Sequence, residues 1–301
     1  MNPPPIETIA FHTEPASRRL LVAFAHPDDE SFGPAGTLIR YAHEGVAVHY
    51  VCGTRGEAGS VDPHLLPEGS SLADLRTREL LCAAPILGLA GLHFLNYHDS
   101  GMENTPANQN PRCLVQAPVE EVAEKITRLI RQIQPQVVLT FDPTGGYFHP
   151  DHIHMHRATT LAFRAAGDPS RFPHHLEEGL APYAPQKLYY TAFPRGFLKI
   201  VVRILPLFGQ DPAAFGRNRD INLKRIADVQ QTVTTKIYVA PHYHDARRAA
   251  ACHVSQISGG PGRLPGFIQR WLARYDTFTR AIPPPSPNGR LESDLFEGIT
   301  D

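Results

Sequence analysis

Leu20 to Ala25 (LLVAFA) is an unbroken apolar run of strand length, the pattern of a parallel strand buried on both faces. Thr37 to Glu44 then reads as a helix closed by Gly45, and Val46 to Cys52 as a second strand. Leu72 to Leu87 is helical and Leu92 to Leu95 a short strand. In Val119 to Ile133 the apolar Val122, Ile126, Leu129 and Ile133 recur at helical spacing, and Pro135 ends the helix. Val137 to Phe141 (VVLTF) is the next strand, and His152 to Ala166 the next helix. This strict alternation predicts an α/β fold, a mostly parallel sheet flanked by helices. Beyond residue 167 the pattern loosens. Lys187 to Phe193 and Thr232 to Val239 read as strands, Arg247 to Ala251 and Phe267 to Tyr275 as helices. The apolar segment Phe197 to Phe208, interrupted by Lys199, Arg203 and Pro206, reads as a buried helix, with a membrane-touching or lid segment as the alternative.

Composition narrows the class. Lys plus Arg is 29 and Asp plus Glu 30, so no excess of positive charge argues for nucleic-acid binding. No run of 18 apolar residues marks a membrane span, and the N-terminus lacks a signal-peptide pattern, so a cytoplasmic protein is expected. The four cysteines (Cys52, Cys82, Cys113 and Cys252) lie far apart and are expected to be reduced thiols. Proline is concentrated in the termini and the second half. Residues 1–18 therefore read as a flexible arm, 19–281 as one domain, and 282–301 as a flexible tail.

Five of the 16 histidines are gathered at two places that can share one site. His149, His152, His154 and His156 fall close together, and His26 sits on an equivalent strand end. In parallel α/β sheets, ligands collect at the carboxyl ends of strands. The first strand runs into His26-Pro27-Asp28-Asp29-Glu30, and Val137 to Phe141 runs into Asp142-Pro143-Thr144-Gly145-Gly146-Tyr147-Phe148-His149-Pro150-Asp151-His152. Acids crowded there repel one another unless a cation compensates. His26 and Asp29, three apart, can be aimed at one point by a single turn, and His152 opens a helix. Two histidines and a carboxylate with open positions suit a catalytic zinc, or ferrous iron. Asp28 beside them suits a general base. Tyr147 and His149 suit oxyanion stabilisation, and Asp151 suits orienting His149. His154 and His156 are expected behind the site or on the helix surface. Each segment alone could be a capping turn or a surface loop. Together, at equivalent strand ends, they favour a metal site.

AHPDDE (Ala25 to Glu30) and GGYFHPDH (Gly145 to His152) resemble the motifs of the PIG-L/LmbE-like zinc deacetylases, over most of residues 19–166. The resemblance implies a Rossmann-like sheet and zinc on His26, Asp29 and His152. It further implies Asp28 as general base, Tyr147 polarising the amide carbonyl, and His149 braced by Asp151. Residues 19–166 would then form a metal-binding core, with 167–281 shaping the substrate site. DPTGGYFHPDH and DSGM (Asp99 to Met102) resemble the branch acting in low-molecular-weight thiol pathways of mycothiol or bacillithiol type. By that resemblance Arg76 and Asp99 would contact substrate hydroxyls. Gly53 to Gly59 (GTRGEAG) and His253 to Gln256 (HVSQ) also resemble family segments. The expected activity is removal of the acetyl group from an N-acetylglucosaminyl small molecule. A thiol S-conjugate amidase is the alternative, and an inactive sugar-binding protein the alternative of another class. A homo-oligomer is left open. A nucleotide-binding reading fails, because HPDDE stands where the glycine-rich phosphate turn belongs.

Overall fold

A computed structural model describes residues 3–11, 16–193, 195–215, 221–257, 266–286 and 289–299. Among them, β1 (Glu7–Ala10), β2 (Arg19–Phe24), β3 (Ala47–Thr54), β4 (Leu89–Tyr97), β5 (Val137–Thr140), β6 (Lys187–Thr191), β7 (Thr235–Tyr238) and β8 (Tyr275–Ile282) form one sheet. Its order is β1-β4-β3-β2-β5-β6-β8-β7. The five central strands are parallel, and β1, β7 and β8 join antiparallel. Around the sheet run α1 (Asp29–Phe32), α2 (Ala35–His43), α3 (Leu72–Leu87), α4 (Val119–Ile133), α5 (Gly145–Phe148) and α6 (Pro150–Ala165). Then follow α7 (His174–Glu177), α8 (Arg195–Ile204), α9 (Leu223–Asp228), α10 (Tyr243–Cys252) and α11 (Gly266–Leu272).

The apolar runs dictate the centre. Leu20 to Ala25 are all essentially inaccessible, with Leu20 opposite Val48 on one side and Val137 on the other. Chain connectivity reverses direction between β2 and β5. Such a switch point leaves a crevice outside the carboxyl ends of the two strands. Caps set the helix limits. Ser71 and Asp74 close a capping box at the start of α3, and Gly88, at φ 69°, ends it in the left-handed region.

Several expectations are corrected. The arm expected over 1–18 contributes β1, paired with β4 at the sheet edge, and the tail expected over 282–301 returns to the core. There Leu295 is fully buried and Asp294 accepts from the Tyr41 hydroxyl at 2.7 Å. Polar alternation disguised the one, and proline the other. The helix expected over Phe267 to Tyr275 stops at Leu272, and Tyr275 opens β8. The segment Phe197 to Phe208 is helical over its first part but not buried: Ile200, Ile204 and Leu207 are exposed. Its terminal Phe197 and Phe208 side chains lie outside the described ones. Cys82 and Cys252 form a disulfide rather than two thiols, because α3 and α10 pack side by side although 170 residues separate the cysteines. Cys52 and Cys113 are buried free thiols, as expected. No helix among the described residues is long and apolar enough to cross a membrane.

Candidate metal and active site

The two histidine-rich segments leave β2 and β5 on either side of the switch point. At the end of β2 the chain turns so that Asp29 Oδ2 accepts the backbone N–H groups of Ala25 (3.2 Å) and His26 (2.7 Å). Asp29 is thereby folded back over the strand end, beside the His26 ring. At the end of β5, Gly145 lets the chain approach α6. Its φ is 61°, and a Cβ there would stand 2.6 Å from that of His152. The Gly145 carbonyl in turn lies 3.1 Å from His152 Nδ1, fixing the ring.

The structure brings His26, Asp29 and His152 together. His26 Nδ1 is 3.1 Å from His152 Nε2 and 3.6 Å from Asp29 Oδ2, while His152 Nε2 is 3.3 Å from Asp29 Oδ1. Donors around a tetrahedral metal with bonds near 2.0–2.1 Å stand about 3.3 Å apart. The nitrogen–oxygen donor set and its spacing therefore fit a divalent cation. Burial pushes His152 down to about 4, which keeps it in the neutral, ligating form. Burial also opposes the cationic form of His26, yet Asp99, Asp151 and Asp29 hold its pKa well above the ordinary value. That concentration of carboxylates around two histidines suits a bound cation.

Asp28 lies beside this cluster with φ 123°, a backbone conformation that L residues avoid. Burial raises its carboxyl to about 7, against the pull of Arg76 and His26. Arg76 Nη2 stands 3.0 Å from Asp28 Oδ2 and donates to the Pro27 carbonyl at 2.6 Å, and Nη1 donates to the Gly56 carbonyl at 3.1 Å. Gly56, in the GTRGEAG loop, is required: a Cβ would come within 2.0 Å of that guanidinium. Arg76, expected to meet substrate hydroxyls, is thus first of all a clamp on Asp28. Asp99 has Oδ1 at 3.4 Å from His26 Nε2 and accepts the Gly101 N–H at 2.8 Å. Both line the cleft.

One expected contact is corrected. Asp151 does not brace the His149 ring with its carboxylate. Its Oδ2 lies 3.2 Å from His26 Nε2 and accepts the Ser100 N–H at 2.9 Å, and its Oδ1 accepts the Ser100 hydroxyl. The brace thus falls on a candidate metal ligand, a carboxylate–histidine arrangement that fixes tautomer and ring orientation. The reason is local. His149 is the N-cap of α6, and its Nδ1 accepts the Asp151 backbone N–H at 3.2 Å, leaving that carboxylate free to turn inward. Burial, with His26 and His152 nearby, pushes His149 down to about 3. The neutral ring therefore carries its proton on Nε2, as a donor. The Tyr147 ring stands 4.9 Å from that of His152 and lines the same cleft, and burial keeps its hydroxyl protonated. His156 and His154 fall behind the site, His156 Nδ1 being 2.8 Å from the Phe141 carbonyl.

Sequence reasoning assigned nothing to Ser100 or Glu30, which orient Asp151 and Asp28. Their signal was adjacency to the motifs, DSGM for one and HPDDE for the other. The cleft is a cavity of about 710 Å³, with Ser60, Met102, Thr105, Ile221 and Gln256 around its outer part.

A switch-point crevice holding two histidines, a carboxylate and a strained, half-buried acid is in class a candidate metal-binding enzyme site. The relatives are narrower. Residues 21–163 match the family model described as PIG-L: GlcNAc-PI de-N-acetylase. A Thermobifida fusca protein named 1D-myo-inositol 2-acetamido-2-deoxy-alpha-D-glucopyranoside deacetylase is 35% identical over 293 residues, covering 93% of this chain and 99% of its own. A protein of the same name from Rhodococcus erythropolis is 34% identical, covering 94% and 98%. The chain belongs to the PIG-L deacetylase family. Among solved structures, the N,N'-diacetylchitobiose deacetylase of Pyrococcus horikoshii aligns with TM-score 0.60 and 22% identity, over 94% of this chain and 86% of that one. The 4-carboxy-2-hydroxymuconate hydratase of Pseudomonas putida aligns with TM-score 0.57 and 16% identity, over 90% and 99%. A deacetylase and a hydratase on one fold show that the fold alone does not choose the reaction.

Proposed function

We propose that this chain is a zinc-dependent N-deacetylase acting on an N-acetylglucosaminyl polyol, the inositol glycoside of its relatives' names. The observation that carries the reading is the convergence of His26, Asp29 and His152 donors within 3.6 Å, with Asp28 alongside. Those three residues would hold the metal. When bound, zinc supplies Lewis acidity, acidifying water and polarising the amide carbonyl. Asp28 accepts the proton of the attacking water, and Arg76 keeps its carboxylate aimed. The Tyr147 hydroxyl and His149 Nε2–H donate to the carbonyl oxygen as charge develops on it. Asp28 then passes the proton it took from water to the departing amine, while His149, neutral throughout, keeps its Nε2–H on the oxyanion.

The aglycone reading has support in the cleft. Among the described lining residues, Arg76 is the only Lys or Arg, and its Nη atoms already serve Asp28 and two carbonyls. A dicarboxylate such as malate finds no spare cation among the described lining residues. Ser60, Thr105, Ser255 and Gln256 offer the hydroxyl and amide groups that a neutral polyol uses.

The test is release of free amine from N-acetylglucosaminyl inositol, N-acetylglucosaminyl malate and a thiol S-conjugate, with zinc and ferrous iron compared. Fastest turnover of the inositol compound, abolished by a chelator and restored by zinc, is expected. No turnover of any of the three with either metal returns the chain to the binding-protein reading.

A further inference from the structure

His253 ends the last turn of α10, far in sequence from the strand-end motifs. It is fully buried, and so is the carboxylate it meets: His253 Nε2 lies 2.7 Å from Glu30 Oε1. Its other ring nitrogen has no hydrogen-bond partner among the described residues, so Glu30 is its one polar engagement. Glu30 Oε1 also accepts from the Ser31 hydroxyl at 2.6 Å, and its second oxygen, Oε2, accepts the backbone N–H of Asp28 at 2.9 Å. That N–H belongs to the residue held at φ 123°. A conformation so rarely populated persists only when its surroundings over-determine it. Two restraints do so here: Arg76 on the carboxylate, and the Glu30–His253 pair on the backbone.

Both restraints come from one helix pair. Arg76 rides on α3. The segment bearing His253 is tied to the same helix by the Cys82–Cys252 disulfide, and by Ser255, whose N–H and hydroxyl donate to Glu79 at 2.8 and 2.7 Å. A polar group buried for packing alone would not need its contacts aimed at the backbone of a reacting residue. We propose that His253 is a positioning residue for Asp28, acting through Glu30 to fix the peptide of the strained acid and so the direction of its carboxylate. This rests on the reading of Asp28 as proton acceptor.

The experiment measures kcat and KM for amine release, bound metal and thermal stability in the holoenzyme and in Asp28→Ala, His253→Leu, His253→Gln and His253→Asn. A misplaced catalytic group costs on the order of 10–100-fold. His253→Leu is therefore expected to lose about that much kcat, with KM and bound metal unchanged. His253→Gln, whose amide reaches Glu30, recovers most of it. Wild-type kcat in His253→Leu, a loss that follows metal content, or a loss that glutamine does not repair, overturns the proposal. If the leucine variant does not fold, asparagine, too short to reach Glu30, replaces it in the comparison; equal kcat for asparagine and glutamine is then the overturning result. Asp28→Ala separates the two readings. Full activity there removes Asp28 from the mechanism, whereas an inactive Asp28→Ala beside a fully active His253→Leu removes only the positioning role.

Discussion

Two buried clusters of charge sit at opposite ends of the folding problem. The first, at the ends of β2 and β5, gathers His26, Asp28, Asp29, Asp99, Asp151 and His152 with Arg76 as its one fixed cation. The second lies under β6, β7 and β8. There Glu292 accepts from Lys187 Nζ at 2.8 Å, Tyr189 hydroxyl at 2.8 Å and Thr235 hydroxyl at 2.9 Å, and pairs with Arg280. Two acids respond in opposite directions. Burial raises Asp28 to about 7, whereas Glu292, opposed by burial, is lowered by the bonds from Lys187, Tyr189 and Thr235. Asp29 and Asp99 are lowered against burial by the neighbouring histidines, so Asp28 is the under-compensated member of the first cluster, and it is also the strained one. The difference teaches which buried charges serve a reaction and which hold the chain together.

Asp28→Ala breaks the first cluster at its reacting member. Loss of a general base is expected to cost roughly 10³-fold in kcat. Bound metal is retained, because the three ligands are untouched, and thermal stability changes little, because relief of a strained, desolvated acid offsets the loss of the Arg76 pair, whose guanidinium keeps two carbonyls. A large drop in melting temperature would show that the site cluster is structural after all. Glu292→Ala breaks the second. Removing one partner of a buried ion pair strands the others and is expected to cost about 3–5 kcal/mol of stability. Denaturant unfolding measures this, and kcat per folded molecule stays at the wild-type value.

The contrast also explains what the chain alone reveals. His26, Asp28 and Asp29 were legible because one covalent turn joins them, and His152 because the second segment repeats the pattern at an equivalent strand end. Helices α3 and α4 were legible to the residue because Ser71, Gly88 and Pro135 mark their limits. The β4 strand runs wider than its apolar centre because Gly91 and Asn96 interrupt the run on either side. The Asp151–Ser100, Glu30–His253 and Glu292–Lys187 contacts join residues at least 51 apart. No periodicity encodes such pairings, and the antiparallel strands β1 and β8 are hidden for the same reason.

The disulfide joins α3 to α10 behind the first cluster and tests a covalent tie against the second cluster's polar ones. Cys82→Ser is expected to lower stability by about 2–4 kcal/mol, since the bond closes a long loop in the unfolded chain. The measurement is the denaturation midpoint with and without reductant. Reductant should lower the wild type toward the variant and leave the variant where it is. Equal midpoints under oxidising conditions would show that the bond contributes nothing.

The smallest effect tests a lone carboxylate that ties the halves together without belonging to either cluster. Asp276, on β8, accepts from the Thr37 N–H at 2.9 Å and the Thr37 hydroxyl at 2.7 Å, at the start of α2. Burial raises its carboxyl to about 6 despite those two bonds. The unfolded chain titrates near ~3.9. The native state therefore binds the proton more tightly, and the stabilisation this brings is fully present below about pH 4. It is lost as pH rises through about 6, so above that the ionised side chain is a net cost. Asp276→Asn keeps an acceptor for Thr37 and cannot ionise. A tenfold difference in proton affinity between the native and unfolded chains corresponds to ~1.4 kcal/mol, and the partial exposure of Asp276 discounts it. Between pH 4.5 and 7.5 the wild type should lose roughly 1 kcal/mol of stability relative to the asparagine variant. Urea unfolding of the pair at both pH values checks this. A difference that does not change with pH would show that the Thr37 donors hold Asp276 at the ordinary carboxylate range.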